Sequence, residues 1–123
     1  MKTILVDARN TFVTEKGINK DIQNFLDSLP NKKIIVTNAN DEQLITFGIV
    51  NMPYEVFTLK HNPNKVDPKY FETLMELFAL DPDEIIYFEH NSEAVQSAQS
   101  LGITTHHYDK DMEKLKIFLE GNM

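Results

Sequence analysis

An aspartate and an arginine, Asp7 and Arg9, follow the first apolar run of the chain in the sequence ILVDARNT. A carboxylate at the end of a buried strand is a common nucleophile, proton carrier or metal ligand. A guanidinium keeps its proton at physiological pH, so Arg9 can bind an anion but cannot take a proton from water. The pair therefore favours a site for an anionic ligand, and the role of Arg9 decides which chemistry the site performs.

Polar side chains also end two later apolar runs. Thr37 and Asn38 close the sequence KIIVTN, and Glu89 and His90 follow IIYF. Lys65 stands in the sequence KVDP, within the longest irregular stretch, residues 59–67. Each of these residues alone has an ordinary structural explanation, such as a turn cap, a strand-end threonine or a solvated loop lysine. Their joint occurrence at strand ends indicates a site that combines carboxylates, a hydroxyl group and an ammonium group.

Alternating apolar runs and amphipathic stretches predict the elements that position these residues. The expected strands cover residues 4–6, 33–37, 54–59, 85–88 and 103–108, and the expected helices cover residues 18–29, 40–48, 68–80, 91–102 and 109–119. Asn40, Asn91 and Asp109 are the expected N-caps of three helices. The alternation predicts an α/β fold, a Rossmann-like three-layer sandwich with five parallel strands. For this sheet we assume the doubly wound strand order 3-2-1-4-5.

This strand order predicts where a ligand binds. The first strand lies at the centre, between the second and the fourth, and ligands of such sheets bind at the carboxyl ends of the strands where the order reverses. We therefore expect Asp7, Thr37 and Glu89 to converge on one crevice, with Lys65 supplied by the neighbouring loop.

Composition excludes several other classes of function. The 123 residues predict a single domain, residues 1–123, and the absence of cysteine excludes disulfides and thiolate chemistry. The four histidines do not show the spacing of a zinc motif. The net charge of −7 argues against nucleic acid and anionic membranes as partners. Without a long apolar run or a signal-peptide pattern, we expect a cytoplasmic protein.

The first two candidate sequences resemble motifs of the haloacid-dehalogenase-like (HAD) superfamily. Its first motif is an apolar strand followed by Asp-x-Asp-x-Thr, which Asp7 and Thr11 match while Arg9 replaces the second aspartate. Its second motif is an apolar strand that ends in Thr or Ser, commonly followed by Asn, which Thr37 and Asn38 match.

The third and fourth motifs follow in the same order. The third motif is a lysine before a helix, often in the form Lys-Pro-Asp-Pro, and Lys65 in KVDP matches it. The fourth is a strand that ends in acids, usually two aspartates, where Glu89 and His90 stand here. Glu89 keeps the carboxylate on a side chain one methylene longer, and His90 replaces the second acid. The resemblance covers nearly the whole chain. The stretch between the first two motifs, residues 12–32, is too short for an inserted cap domain. The resemblance therefore implies a minimal, capless core.

The resemblance implies phosphoryl transfer through an aspartyl-phosphate, with Mg²⁺ as the cofactor. Asp7 would be the nucleophile, and a small phosphorylated molecule or a phosphoprotein would be the partner. The implied roles are catalytic for Asp7, Thr37 and Lys65, phosphate-binding for Arg9, Thr11 and Asn38, and metal-binding for Asp7, the main-chain carbonyl of Arg9, and Glu89.

Arg9 leaves three interpretations open. In the first, Asp7 still forms the phospho-intermediate, Arg9 clamps an anion, and hydrolysis is slow because general acid–base help, typically worth ~10²–10⁴ in rate, is missing. In the second, Arg9 pairs with Asp7 or Glu89 in place of the metal, and the protein is an inactive binding or regulatory module. In the third, different chemistry operates, as in the dehalogenase branch, although its customary tyrosine and its cap are absent here. The oligomeric state stays open in all three.

Overall fold

A computed structural model describes residues 1–123 of the protein, which form two β-sheets and five α-helices. The strands are β1 (Thr3–Asp7), β2 (Val13–Thr14), β3 (Gly17–Ile18), β4 (Lys33–Thr37), β5 (Glu55–Thr58), β6 (Ile85–Glu89) and β7 (Thr104–His107). The helices are α1 (Lys20–Asp27), α2 (Asp41–Thr46), α3 (Lys69–Phe78), α4 (Ser92–Gln99) and α5 (Met112–Gly121), with a 3₁₀ turn at Pro82–Glu84.

The main sheet has five strands in the order β5-β4-β1-β6-β7, and every neighbouring pair is parallel. Counted along the main sheet, this is the predicted order 3-2-1-4-5, so the fold-class prediction is confirmed. The polar residues that end β1, β4 and β6 consequently lie side by side at one edge of the sheet.

Alternation along the central strands divides the core into two layers. In β1, Ile4 and Val6 face a cluster that includes α1 and α5, whereas Leu5 faces a cluster that includes α3 and α4. All five residues of β1 are buried, as expected for a strand covered on both faces. These layers hold β1, and therefore its terminal aspartate, in a rigid position.

A short hairpin, β2–β3, follows β1 and was not expected from the sequence. Each of its strands has only two residues, too few to show a periodic pattern. Its turn ends at Gly17, which has a φ of 103° that favours glycine. Phe12 and Val13 bury their side chains in the core, so the hairpin is anchored beside the end of β1.

Two of the three expected helix caps are confirmed. The Asn40 side chain accepts a hydrogen bond from the Gln43 amide, and the Asn91 side chain accepts one from the Ala94 amide. The prediction for α5 was wrong, because Asp111 rather than Asp109 accepts the hydrogen bond from the Lys114 amide. Asp109 instead accepts from the amide of Asp111 in the preceding turn, which delays the start of the helix.

Every helix falls short of the length and hydropathy that crossing a membrane requires.

Candidate active site

A cavity of about 300 Å³ opens at the carboxyl ends of the central strands. Asp7 of β1, Thr37 of β4 and Glu89 of β6 line it, together with Lys65 from the loop between β5 and α3. The structure therefore brings together the residues that the sequence placed in one crevice. The remaining lining comes from the segments that follow β1, β4 and β6, from α2 and the residue after it, from the same loop and from the start of α4.

Lys65 bridges the two carboxylates at the bottom of the cavity. Its Nζ lies 2.8 Å from Asp7 Oδ1 and 2.8 Å from Glu89 Oε1. The three side chains are almost completely buried, with exposed fractions of 8% for Lys65, 2% for Asp7 and 1% for Glu89. We call these three residues the charged floor. Buried charges need such mutual compensation because each has lost its hydration.

In the charged floor, burial and the attraction between opposite charges shift the pKa values of the side chains in opposite directions. Burial by itself would raise the pKa of Asp7, but Lys65 and hydrogen bonds from His90, Lys65 and Thr11 hold that pKa well below its usual range. Burial and the charge of Asp7 raise the pKa of Glu89. Burial opposes the charge on Lys65, yet the two carboxylates prevail and raise its pKa. Asp7 is therefore ionised at neutral pH, as a nucleophilic carboxylate must be.

Asn38 fastens the loop that delivers Lys65. Its Oδ1 accepts a hydrogen bond from the main-chain amide of Lys65 at 2.7 Å, and its Nδ2 donates to Asn64 Oδ1 at 3.0 Å. Asn38 thus positions the loop, and the second hydrogen of its Nδ2 leaves the predicted phosphate contact untested.

The two threonines make local contacts. Thr11 Oγ1 donates to Asp7 Oδ2 at 2.6 Å, so this hydroxyl group orients the carboxylate. Its predicted contact with a phosphate stays a prediction. Thr37 Oγ1 lines the cavity and accepts from the Ala39 amide at 3.2 Å, and its hydrogen remains available to a ligand. The backbone of Thr37 is held by the hydroxyl group of buried Tyr70.

Arg9 does not take part in the charged floor. Its guanidinium lies over the ring of Phe47, 3.8 Å from the ring centroid, at the rim of the cavity. It forms no ion pair with any carboxylate, and Asp7 and Glu89 pair with Lys65 instead. The hypothesis that Arg9 pairs with Asp7 or Glu89 in place of a metal was therefore wrong. The carbonyl group of Arg9 accepts no main-chain hydrogen bond.

His90 lies closer to the chemistry than its sequence position suggested. Its Nδ1 is in hydrogen-bond contact with Asp7 Oδ2 and lies 3.5 Å from Glu89 Oε2, while its main-chain amide donates to Asp7 Oδ2 at 3.3 Å. The hydrogen bond with Asp7 raises the pKa of His90. Sequence reasoning treated this residue as a lost acid. Its position directly after Glu89 was the one signal for a ligating role.

Two further residues that support the site were missed by sequence reasoning. The hydroxyl group of Tyr87, buried in β6, donates a hydrogen bond to Glu89 Oε1. The ring of His107 lies with Nε2 at 2.8 Å from the His90 carbonyl oxygen, which holds the backbone after β6. The alternation of β6 places Tyr87 and Glu89 on the same face, but Tyr87 was interpreted as an ordinary core residue.

Several solved structures share this architecture. The core domain of a Streptococcus pneumoniae protein, provisionally assigned as a phosphoglycolate phosphatase, gives a TM-score of 0.65 at 15% identity, covering 98% of this chain and 96% of that one. A HAD family enzyme from Bacteroides thetaiotaomicron, crystallised with magnesium and inorganic phosphate, gives a TM-score of 0.64 at 21% identity and covers 80% of this chain. An uncharacterized protein from Corynebacterium glutamicum gives 0.66 at 13% identity, covering 99% and 94% of the two chains.

The protein has the HAD-like fold. The chain spans little more than half, 57%, of the Bacteroides enzyme. No protein-family model matches the chain, and no curated protein matches it. At these sequence identities the structural similarity establishes the architecture alone.

The donor atoms of this HAD-like site fit a divalent cation. Lys65 occupies one oxygen of each carboxylate, which leaves Asp7 Oδ2 and Glu89 Oε2 on the side that faces His90. One ligand atom from each of these three residues lies within 4.8 Å of the others. The unpaired carbonyl of Arg9 is a further oxygen donor from the same end of β1. Oxygen donors suit Mg²⁺, whereas an imidazole nitrogen within the set does not.

Proposed function

We propose that the protein transfers the phosphoryl group of a small phosphorylated compound through a covalent intermediate on Asp7. The observation that carries this proposal is the buried, ionised carboxylate of Asp7, held by Lys65 at the bottom of an open cavity at the switch point of the sheet. A carboxylate kept ionised in a dry environment is poised to attack phosphorus.

The reaction has two steps. A carboxylate oxygen of Asp7 forms a bond to phosphorus as the bond from phosphorus to the leaving-group oxygen breaks. Water then attacks the aspartyl-phosphate, which releases inorganic phosphate and restores the carboxylate. The Thr37 hydroxyl group donates to a phosphoryl oxygen, the positive charge of Lys65 offsets negative charge on the transferring group, and Thr11 holds Asp7 in its rotamer. A divalent cation, when bound, would offset the negative charge of the phosphoryl group.

Arg9 defines the substrates that such a site can use. A guanidinium cannot give up its proton to a leaving alkoxide, although it can stabilise negative charge on a leaving oxygen. Phosphates with leaving groups that depart as stable anions, such as aryl and acyl phosphates, should therefore react, and simple alkyl phosphates should react slowly. A cavity of about 300 Å³ with mostly polar lining suits a small phosphorylated compound.

The cavity also supports a capless organisation. Only the short hairpin β2–β3 and helix α1 lie between β1 and β4, so we include in the proposal that residues 1–123 act as a single HAD-like core domain without a cap. The magnesium and phosphate of the Bacteroides enzyme, which shares the fold, support the proposed ligand class.

A second candidate is a catalytically inactive module that binds a phosphorylated small molecule or phosphoprotein. It is favoured by Arg9, whose exposed guanidinium stands where the superfamily motif has the acid–base aspartate and is free to bind an anion. In this alternative Asp7 and Lys65 stabilise the fold, and no covalent intermediate forms.

Beryllium fluoride separates the two candidates, because it forms a stable mimic of the aspartyl-phosphate on an active carboxylate. Fluorine NMR of the full chain with beryllium fluoride, in the presence of Mg²⁺ and separately of Mn²⁺, should show a bound species in the wild type and none in Asp7→Asn. A wild type without a bound species, combined with saturable binding of inorganic phosphate, would overturn the enzymatic proposal and support the binding module. Turnover of p-nitrophenyl phosphate that disappears in Asp7→Asn would exclude the module.

A further inference from the structure

We infer that His90 is a metal ligand and that it changes the cation preference of the site from Mg²⁺ to a first-row transition metal such as Mn²⁺, Co²⁺ or Zn²⁺. The inference rests on the proposed function only in that both use the same site. It requires metal binding and no catalysis.

The oxygens left free by the charged floor point in one direction. Glu89 Oε1 accepts hydrogen bonds from both Lys65 Nζ and the Tyr87 hydroxyl, so it is fully engaged on the inner side. Lys65 also takes Asp7 Oδ1. Glu89 Oε2 and Asp7 Oδ2, which Lys65 does not contact, both lie beside the ring of His90.

Glu89 Oε2 also accepts from the Asn91 amide, and Asp7 Oδ2 also accepts from the Thr11 hydroxyl group, so each oxygen has a remaining lone pair rather than being without partners. Two carboxylate oxygens and the Nδ1 atom of His90 therefore form one set of candidate ligand atoms.

The imidazole of His90 is held in place from its backbone. The His90 amide donates to Asp7 Oδ2, and its carbonyl oxygen lies 2.8 Å from His107 Nε2. The next residue, Asn91, caps α4 and so fixes the chain direction directly after His90. The ring is 38% exposed, so Nδ1 faces the carboxylates while the rest of the ring borders the cavity. To bind an ion, Nδ1 exchanges its hydrogen bond with Asp7 Oδ2 for the metal, while the contacts of its backbone can stay in place.

The composition of this face determines which ion it prefers. Mg²⁺ binds oxygen ligands and water in a regular octahedron, whereas imidazole binds Mn²⁺, Co²⁺ and Zn²⁺ with increasing strength. The charge of the site points the same way. Asp7 and Glu89 contribute two negative charges and Lys65 one positive charge, so a site in which His90 stands in place of a carboxylate attracts a hard cation less strongly.

The test uses the full chain with Mn²⁺ as the probe. Calorimetry should show Mn²⁺ binding at least about tenfold tighter than Mg²⁺ in the wild type, since one imidazole ligand discriminates between these ions. His90→Asp should reduce or invert that ratio by restoring an all-oxygen set. Pulsed electron paramagnetic resonance of bound Mn²⁺ should show coupling to a ¹⁴N nucleus in the wild type and none in His90→Asp.

His61→Gln is the matched control, because His61 borders the same cavity but is not among the three grouped ligands. It should keep both the metal preference and the nitrogen coupling. Labelling the wild type with [¹⁵N]histidine gives a test without any substitution at the site, because the ¹⁴N signal should be replaced by a ¹⁵N signal.

Three results would overturn the inference: no binding of Mn²⁺, bound Mn²⁺ without histidine nitrogen coupling, or equal ratios of Mn²⁺ to Mg²⁺ affinity in the wild type and His90→Asp. Failure of the proposed function looks different. Nitrogen-coupled Mn²⁺ without turnover or a beryllium fluoride adduct sustains the ligand assignment and removes the enzymatic proposal. Turnover with Mg²⁺, combined with bound Mn²⁺ that shows no nitrogen coupling, sustains the enzymatic proposal and removes the assignment of His90 as a ligand.

Discussion

The charged floor of the cavity, Asp7, Lys65 and Glu89, contains charges that are buried and paired, whereas its rim contains polar side chains that are exposed and loosely held. At the rim, Arg9 rests on the ring of Phe47, and His61 contacts Gln43. A buried charge that loses its partner destabilises the whole fold, whereas an exposed side chain can change with little effect on stability. Of the departures from the motifs that the sequence resembles, Glu89 lies in the floor and His90 contacts it, whereas Arg9 lies at the rim.

Removing the positive charge of the floor should have the largest effect on stability. Lys65→Met leaves two buried carboxylates facing each other, which should lower the free energy of unfolding by about 3–5 kcal/mol. Urea denaturation measures this change. Lys60→Met is the control, because the Lys60–Asp41 pair is exposed and its loss should cost no more than about 1 kcal/mol. Similar values for the two variants would show that the floor is not the stabilising element described here.

Changing the rim should alter activity and leave stability alone. Arg9→Asp supplies the missing proton carrier, so turnover of an alkyl phosphate should rise by ~10²–10⁴, and turnover of p-nitrophenyl phosphate should rise less because its leaving group needs no proton. The free energy of unfolding should change by less than about 0.5 kcal/mol. Arg9→Gln removes the charge without adding a carboxylate and should give no gain. An equal gain in turnover for Arg9→Asp and Arg9→Gln would mean that the new carboxylate carries no proton, and that Arg9 slows the reaction only through its charge or its size.

Removing the Tyr87 hydroxyl group, which lies beneath the charged floor, should have an intermediate effect on stability. Tyr87→Phe removes the hydrogen bond to Glu89 Oε1 and should cost about 1.5–3 kcal/mol of stability, since the acceptor is a buried carboxylate. Tyr54→Phe removes a hydrogen bond to Asp27 near solvent, for which we expect a loss below about 1 kcal/mol. Thermal unfolding of the two variants checks the difference. A larger loss for Tyr54→Phe would reverse the proposed ranking of buried and exposed contacts.

The smallest expected effect lies away from the cavity, at His106. Burial lowers the pKa of this histidine, whose ring stacks on Phe118. Since the unfolded chain then binds a proton more readily than the folded one, stability falls as the pH drops from about 6.5 through the lower folded value. His106→Gln should flatten the dependence of unfolding free energy on pH in this window. A dependence as steep as that of the wild type would assign the effect to other groups.

Sequence reasoning was most successful where a residue's position follows from its own strand. Asp7 and Thr37 end apolar runs, and parallel packing of those runs places both at one edge of the sheet. The helix cap of α5 was misplaced by two residues, because Asp109 and Asp111 are equally suitable by type and only the turn at Lys110, with a φ of 72°, decides between them. The hairpin β2–β3 was missed because its strands are too short to carry a pattern.

The amino-acid sequence by itself determined which segments form buried strands and which polar residues end them, because hydrophobic periodicity marks the buried segments. The assumed strand order then placed those polar residues at the switch point, and the structure confirms it. Only the tertiary structure decided which partners those residues chose. Lys65 meets Asp7 across 58 positions of sequence, and His90 meets it across 83. Such contacts depend on the direction in which loop side chains point, and that direction is set by the competition of buried charges for partners once the strands are packed together.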